Sequence, residues 1–416
     1  AVDISLSGNS GVTLFFILSG FLLFLPYAKS MLFDTSWPEA RRFYLRRIFR
    51  IWPGYYVSLI LLILIANRSY LQLANLKQLF LFLTFLMDSS ANTYQKINGP
   101  FWTLAVEWQY YMLLPLLALG MGWLVRRGTF KRRLTILLLC LGGLLLWGLA
   151  TRWWGESWQL YTTPLAFGPG KVPIIQYPSF SGAHPLLPAS VRNFLLFFVY
   201  GQNGKFMEDF AVGMLICVFY TIAQQLPEHA ISRFCYKSSR YMWFLGLAFL
   251  FFAVVWPDIP LWFLPWLNFS QFQGWNRALI PYFWAHNWLS EVPFVLGYGC
   301  CMQAILFGKR DLQWFWQLGW MRWLGLLSYG MYIWHLPIIL AYDNIMHPFQ
   351  SSINNIVYYG LYWVLVVVIV IPFCYLFHIL IEQPWIKYGV RVTGKKVTKI
   401  PPVDVPEVVA VGSTKE

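Results

Sequence analysis

A chain of 416 residues is long enough for two or three soluble domains, but 58% hydrophobic, 20% aromatic and only 12% charged residues match no soluble composition. Its formal net charge is +14, yet no Walker A loop, post-strand GxGxxG or HxxE-type zinc pattern accompanies the basic residues. Soluble nucleotide-driven and zinc chemistry are thereby excluded, and the fold class expected is all-α, a polytopic helical membrane protein.

Taken in order, nine apolar stretches approach or reach spanning length: about 11–28, 51–66, 101–125, 134–150, 206–224, 241–257, 290–308, 324–342 and 356–380. Between the first two lies a basic connector in which Arg42, Arg46 and Arg50 recur every fourth residue and Arg47 stands three before Arg50. On a helix these crowd one side, with Phe43, Ile48, Phe49 and Ile51 on the apolar side, the pattern of a helix in the headgroup region. Pro53 disfavours helical geometry at Trp52, which predicts a break there and a new helix from Pro53. The apolar run from Asn75 to Met87 is too short to span and is expected to be interfacial or re-entrant.

Alternating the nine spans puts the basic clusters 29–50, 126–133, 227–240, 309–322 and the tail after 386 on one side; together they hold 23 of the 31 basic residues. The positive-inside rule makes that side cytoplasmic. The opposite side then carries a long loop from Thr151 to Asn193 with Trp153, Trp154 and Trp158, expected to be an ordered cap, and a second loop, Pro257 to Arg277. Residues 1–385 form the membrane domain and 386–416 a basic, disordered tail. The six cysteines have neither CxxC nor Cys/His ligand spacing and are expected as small buried hydrophobes, so no metal site is expected. The chain begins with Ala and has no signal-peptide pattern. An odd number of spans with a cytoplasmic tail leaves Ala1 outside, so a preceding helix is expected, which would give ten.

Ionisable groups inside spans are the first candidates for function, because a charge at the bilayer centre costs on the order of 2.5–3.5 kcal/mol or more. Glu107, in Phe101-Trp-Thr-Leu-Ala-Val-Glu107-Trp-Gln-Tyr-Tyr111, is expected about one turn into its helix and shallow on the outer side. It reads either as a catalytic or substrate-orienting carboxylate or as an interfacial one paired with a cation or tyrosine. His335, about 11 residues into its span or ~16 Å at the helical rise, falls near the midplane. It reads as a base or as a neutral imidazole bonded across helices. The arginines suit a clamp for phosphates, although a cytoplasmic connector is basic in any case. Ser19-Gly20 has no base nearby in sequence and reads as a helix-packing pair. His286 with Glu291 does not make the His-x4-Asp signature of glycerolipid acyltransferases.

Five segments together resemble the acyltransferase 3 family of bacterial membrane O-acyltransferases. They are Gly11-Val-Thr-Leu-Phe-Phe-Ile-Leu-Ser19-Gly20-Phe21, Arg46-Arg47-Ile-Phe-Arg50-Ile-Trp-Pro53, Trp102-Thr-Leu-Ala-Val-Glu107-Trp-Gln-Tyr-Tyr111, Leu327-Ser-Tyr-Gly-Met-Tyr-Ile-Trp-His335 and Ile381-Glu382-Gln-Pro384. The resemblance implies a ten-helix domain that takes an acyl group, commonly acetyl, from cytoplasmic acyl-CoA and places it on a hydroxyl of a saccharide or related surface acceptor. It puts the family's arginine pair on Arg47 and Arg50, beside Arg46, and its helix-starting glutamate on Glu107. Thr13 stands where the family usually has Asp, and the family's key histidine lies in a helix before Gly11, so the chain as given is expected to be inactive or nearly so, with His335 as the fallback base.

The reading is therefore a membrane O-acyltransferase with Glu107 and His335 as catalytic candidates and Arg46, Arg47 and Arg50 as donor-binding candidates. Acyl-CoA is its donor substrate, and it has no resident cofactor. Its expected setting is the bacterial inner membrane, with the C-terminus cytoplasmic and no nucleic-acid partner. The alternative is a multi-pass transporter of an organic anion or lipid-linked saccharide with the arginines as its anion port. Consumption of acyl-CoA separates the two.

Overall fold

The computed structural model describes residues 10–162, 189–255, 291–349 and 354–394, and these are helical with no strand. The first helices are α1 (Ser10–Phe33), α2 (Ala40–Ala66), the short α3 (Leu76–Leu83), α4 (Phe101–Val125) and α5 (Phe130–Thr162). After residues 163–188 come α6 (Ala189–Leu195), α7 (Met207–Gln225) and α8 (Ala230–Val255). Beyond residues 256–290 follow α9 (Glu291–Phe307), the one-turn α10 (Arg310–Gln313) and α11 (Gly319–Met346). The chain then runs through α12 (Asn355–Leu365), α13 (Ile371–Phe377) and α14 (Gln383–Val392), joined by π turns at Val366–Val370 and His378–Glu382.

Eight of these helical stretches are long and apolar enough to cross a membrane, and α9 at 17 residues falls just short. The nine expected spans are thus all helices, and the protein is an all-α polytopic membrane protein. The described parts of the cap loop are helical, a continuation of α5 to Thr162 and the start of α6 at Ala189; residues 163–188, and the loop expected at 257–277, lie outside the described residues. The expected boundary at 385 and 386 falls inside α14, while 395–416 lie outside the described residues.

Where no water drives helices together, close backbone approach has to, and glycine permits it. α1 and α7 cross with Gly20 against the Phe210 backbone and Gly213 against the Ile17 carbonyl; a Cβ on Gly20 would lie 2.9 Å from the Phe210 carbonyl carbon. α8 and α9 pair the same way through Gly246 and Gly297. Phe16, Ile17, Phe210 and Met214, all fully buried, form the apolar centre between α1 and α7.

One expectation fails here. α2 does not break at Trp52; it is one helix from Ala40 to Ala66 with Pro53 inside it. Proline has no N–H to give the Phe49 carbonyl, but a helix held on several sides absorbs that loss. Tyr329 of α11 donates to the neighbouring Ile51 carbonyl at 2.8 Å, and Gly54 leaves room for its ring. The connector is therefore the first part of a spanning helix, and its arginines are carried up into the bundle.

The short helix behaves as its length dictates. α3 docks on α2 through Tyr55 and Tyr56, which donate to the Phe82 and Leu83 carbonyls at 2.7 and 2.8 Å. The chain then runs through a buried non-spanning segment, with Met87, Asp88, Thr93 and Asn98 inside the protein. Asp88 anchors that segment: it pairs with Lys205 and accepts from Gln109 at 2.8 Å.

The basic connections meet at one end of the bundle. Arg133 at the start of α5 pairs with Asp34 after α1 at 2.7 Å, Phe130 packs against both Phe33 and His229, and Arg240 pairs with Asp311 at 2.8 Å.

Candidate functional site

Glu107 is six residues past Phe101, or about 9 Å along α4. It is 3% exposed, enclosed where α1, α2 and α11 pack around α4. Ser19 of α1 donates to its Oε1 at 3.0 Å, and Tyr111, one turn further along α4, donates to the same oxygen. Ser19 is thus more than a packing residue: Gly20 beside it brings α1 close, and the hydroxyl meets the carboxylate.

The continuity of α2 supplies the positive partners. Arg47 and Arg50, about 10 and 15 Å along the helix from Ala40, both lie within electrostatic reach of Glu107. Arg47 stacks over the Tyr111 ring with its guanidinium carbon 5.7 Å from the centroid. Arg50 is exposed at the mouth of the cluster. Arg46 turns elsewhere; its Nε donates to Thr393 Oγ1 at 3.3 Å, tying α2 to the end of α14. Arg42 pairs with Glu39 at the surface at 2.7 Å. The expected row of arginines therefore divides, with only Arg47 and Arg50 facing the buried carboxylate.

α11 contributes a wall of tyrosines. Tyr332 hydrogen-bonds to Thr103, one turn above Glu107, and Tyr329 lies within electrostatic reach of both Glu107 and Glu382. His335 is one turn beyond Tyr332 and does not join the cluster. Its Nδ1 lies 3.0 Å from the Met331 carbonyl, which can only accept, so Nδ1 carries the proton and Nε2 is the open acceptor. Asn98 donating to the Ile333 carbonyl at 2.8 Å, and Leu336 against Gly99, set this part of α11 beside the segment before α4. That places His335 toward the start of α4, away from the level of Glu107.

The fold brings together three groups whose pairings the sequence reading did not assign. Tyr111 stands four residues after Glu107, a spacing that puts both on one helix face. His378 and Glu382 share that spacing, and Nδ1 of the one lies 2.7 Å from Oε2 of the other. The third group is a buried Arg152–Glu208 pair at 2.5 Å with Asp209 alongside, bordering a cavity of about 50 Å³ that Glu291 also lines. The adjacent acids Glu208 and Asp209 at the start of α7 were the available signal. Thr13 donates to Glu291 at 3.2 Å, six residues before Ser19 on α1, so one helix touches both clusters.

Buried carboxylate, stacked arginine, exposed arginine and tyrosine wall, all projecting from spanning helices, define a polytopic membrane protein with a charged site inside its bundle. The chain matches the acyltransferase 3 family, described as an acyltransferase domain, over residues 2–379, and it belongs to that family. No curated protein and no solved structure matches it.

Proposed function

We propose that this membrane acyltransferase moves an acyl group, acetyl in the commonest case, from acyl-CoA to a hydroxyl of a cell-surface saccharide or related acceptor. The observation that carries the reading is the arrangement of Arg47 and Arg50 around Glu107 at the α1–α2 end of a chain of this family. Phosphates are the chemistry an arginine pair binds best, because planar guanidinium groups match their oxygens bidentately. Arg50, being exposed, meets the donor first; Arg47, held on Tyr111, sets the depth to which it enters. Glu107, accepting from Ser19 and Tyr111, is a fixed negative charge that orients both arginines.

In the transfer, the acceptor oxygen attacks the thioester carbonyl, a C–O bond forms, the C–S bond breaks, and the acceptor's proton ends on the departing thiolate. A hydroxyl is a poor nucleophile near neutral pH, so a positioned base such as an imidazole takes that proton during attack. Among the described imidazoles His335 presents an open Nε2. The end of the bundle where Asp34 meets Arg133 is then cytoplasmic, in the inner membrane, and the acceptor approaches from the opposite end.

Membranes containing the whole protein should consume radiolabelled acetyl-CoA and pass label to surface glycans, measured by scintillation counting and glycan mass spectrometry. Binding of acyl-CoA without consumption, together with movement of a solute across vesicles, would overturn the reading in favour of transport. If label transfer occurs and His335→Ala leaves its rate unchanged, His335 is a lining residue and the base is another group.

A further inference from the structure

The polar groups around Arg50 are unevenly satisfied. Glu382 sits at the end of the π turn His378–Glu382, a distortion that recurs at functional sites. Its side chain is buried, and His378 holds Oε2 at 2.7 Å. Oε1 has no hydrogen-bond partner. A buried carboxylate oxygen without a donor is costly, so its unused acceptor lone pairs need an explanation. Space has been kept for it: a Cβ on Gly330 would lie 3.1 Å from Oε1.

Arg50 is the complementary group. It lies within electrostatic reach of Glu382 and of Glu107, yet neither carboxylate is within ion-pairing distance of it among the described residues. An exposed guanidinium with donors to give and a buried oxygen able to accept thus sit on two elements that pack together, α2 and the π turn His378–Glu382.

We infer that Arg50 and the free oxygen of Glu382 form one subsite, which takes a ligand group presenting an acceptor oxygen beside an N–H or O–H donor. This rests on the acyl-CoA reading above. Acyl-CoA offers that chemistry twice, as a ribose hydroxyl next to a phosphate and as the amides of the pantetheine arm. A bare anion satisfies Arg50 alone and meets repulsion from Glu382. The subsite therefore favours the donor over phosphate or pyrophosphate, by the rule that a site built to hydrogen-bond a group rejects ligands lacking it.

The test is calorimetric titration of the purified chain in nanodiscs with CoA, dephospho-CoA, pantetheine phosphate and pyrophosphate, for wild type, Glu382→Gln, Glu382→Asp and Gly330→Ala. Glu382→Gln should weaken CoA binding by about tenfold or more while pyrophosphate binds as tightly as to wild type or more tightly. Glu382→Asp should recover part of the loss. Gly330→Ala, which crowds Oε1 and keeps its charge, should weaken CoA without strengthening pyrophosphate. Dependence on Glu382 that persists in pantetheine phosphate assigns the amides; dependence confined to ligands with the ribose assigns its hydroxyl. Unchanged CoA affinity in Glu382→Gln overturns the inference, as does a parallel loss of CoA and pyrophosphate. Wild-type protein that binds no CoA overturns the donor reading and the inference with it.

Discussion

Glu107 is held by neutral hydroxyls on one oxygen and by two guanidinium groups at longer range, so its charge matters more than its shape. Glu107→Gln keeps the shape and loses the charge; label transfer should fall on the order of 10–100-fold with the protein still inserted, measured on membranes at matched expression. Tyr111→Phe leaves that oxygen with Ser19 alone and removes a buried hydrogen bond to a charge, a loss of ~1–3 kcal/mol in stability, read as a lower thermal midpoint in detergent. The arginines should separate by direction. Arg47→Ala and Arg50→Ala should each raise KM for acyl-CoA about tenfold, whereas Arg46→Ala, facing Thr393, and the exposed Arg41→Ala should change it little. Equal losses from all four would mean bulk charge and no shaped clamp. The residue types of this site were legible in the motifs, but Ser19 was not, since nothing near it in sequence announces a carboxylate 88 positions away.

At the level of the helices, function depends on how closely α1 approaches α7. Gly20→Ala and Gly213→Ala each place a methyl against backbone that cannot move aside, and overpacking of this kind costs about 1–3 kcal/mol. Both should lower the thermal midpoint, and Gly20→Ala should also reduce transfer because Ser19 rides on the same turn. Gly11→Ala, with nothing within 4 Å of its added carbon, is the neutral comparison. Outside the spans, the α8–α10 contact has a pH signature. The hydrogen bond from Arg240 holds the Asp311 carboxyl below its ordinary value. A depressed carboxylate contributes its stabilisation above the unfolded pKa and loses it as pH falls through the folded one. Asp311→Asn should therefore loosen this contact at neutral pH and match wild type in strong acid, followed by hydrogen exchange over residues 309–313. Pro53 shows why helix limits were only partly legible: the local rule for X-Pro is sound, but packing by Tyr329 and the continuing apolar face outweighed it.

For the whole molecule, the ion pairs and ring contacts that join Asp34 to Arg133, Phe33 to Phe130 and Arg240 to Asp311 gather the basic connections at one end. Cysteines introduced at Arg127 and Lys309 in a cysteine-free background should react with a membrane-impermeant maleimide only from the cytoplasmic side, and one at Gln95 only from the other. Labelling of Gln95 and Arg127 from the same side would break the proposed orientation. The same architecture couples two charged clusters through α1, with Ser19 on Glu107 and Thr13 on Glu291.

The sequence by itself determined the class of the protein and where its apolar helices lie, because the cost of burying an unpaired charge or an unbonded backbone in hydrocarbon leaves few alternatives. It also named Glu107, Arg47 and Arg50, which stand out as ionisable groups in or beside apolar spans. Only the tertiary structure decided that these three lie within electrostatic reach of one another, that Arg46 turns away to Thr393, and that His335 stays outside the cluster. The physical reason is that depth and azimuth of a side chain depend on where each helix begins and how it leans on its neighbours. Here both were set by long-range contacts: the unbroken α2, the buried segment ahead of α4, and the close approach of α1 at Gly20.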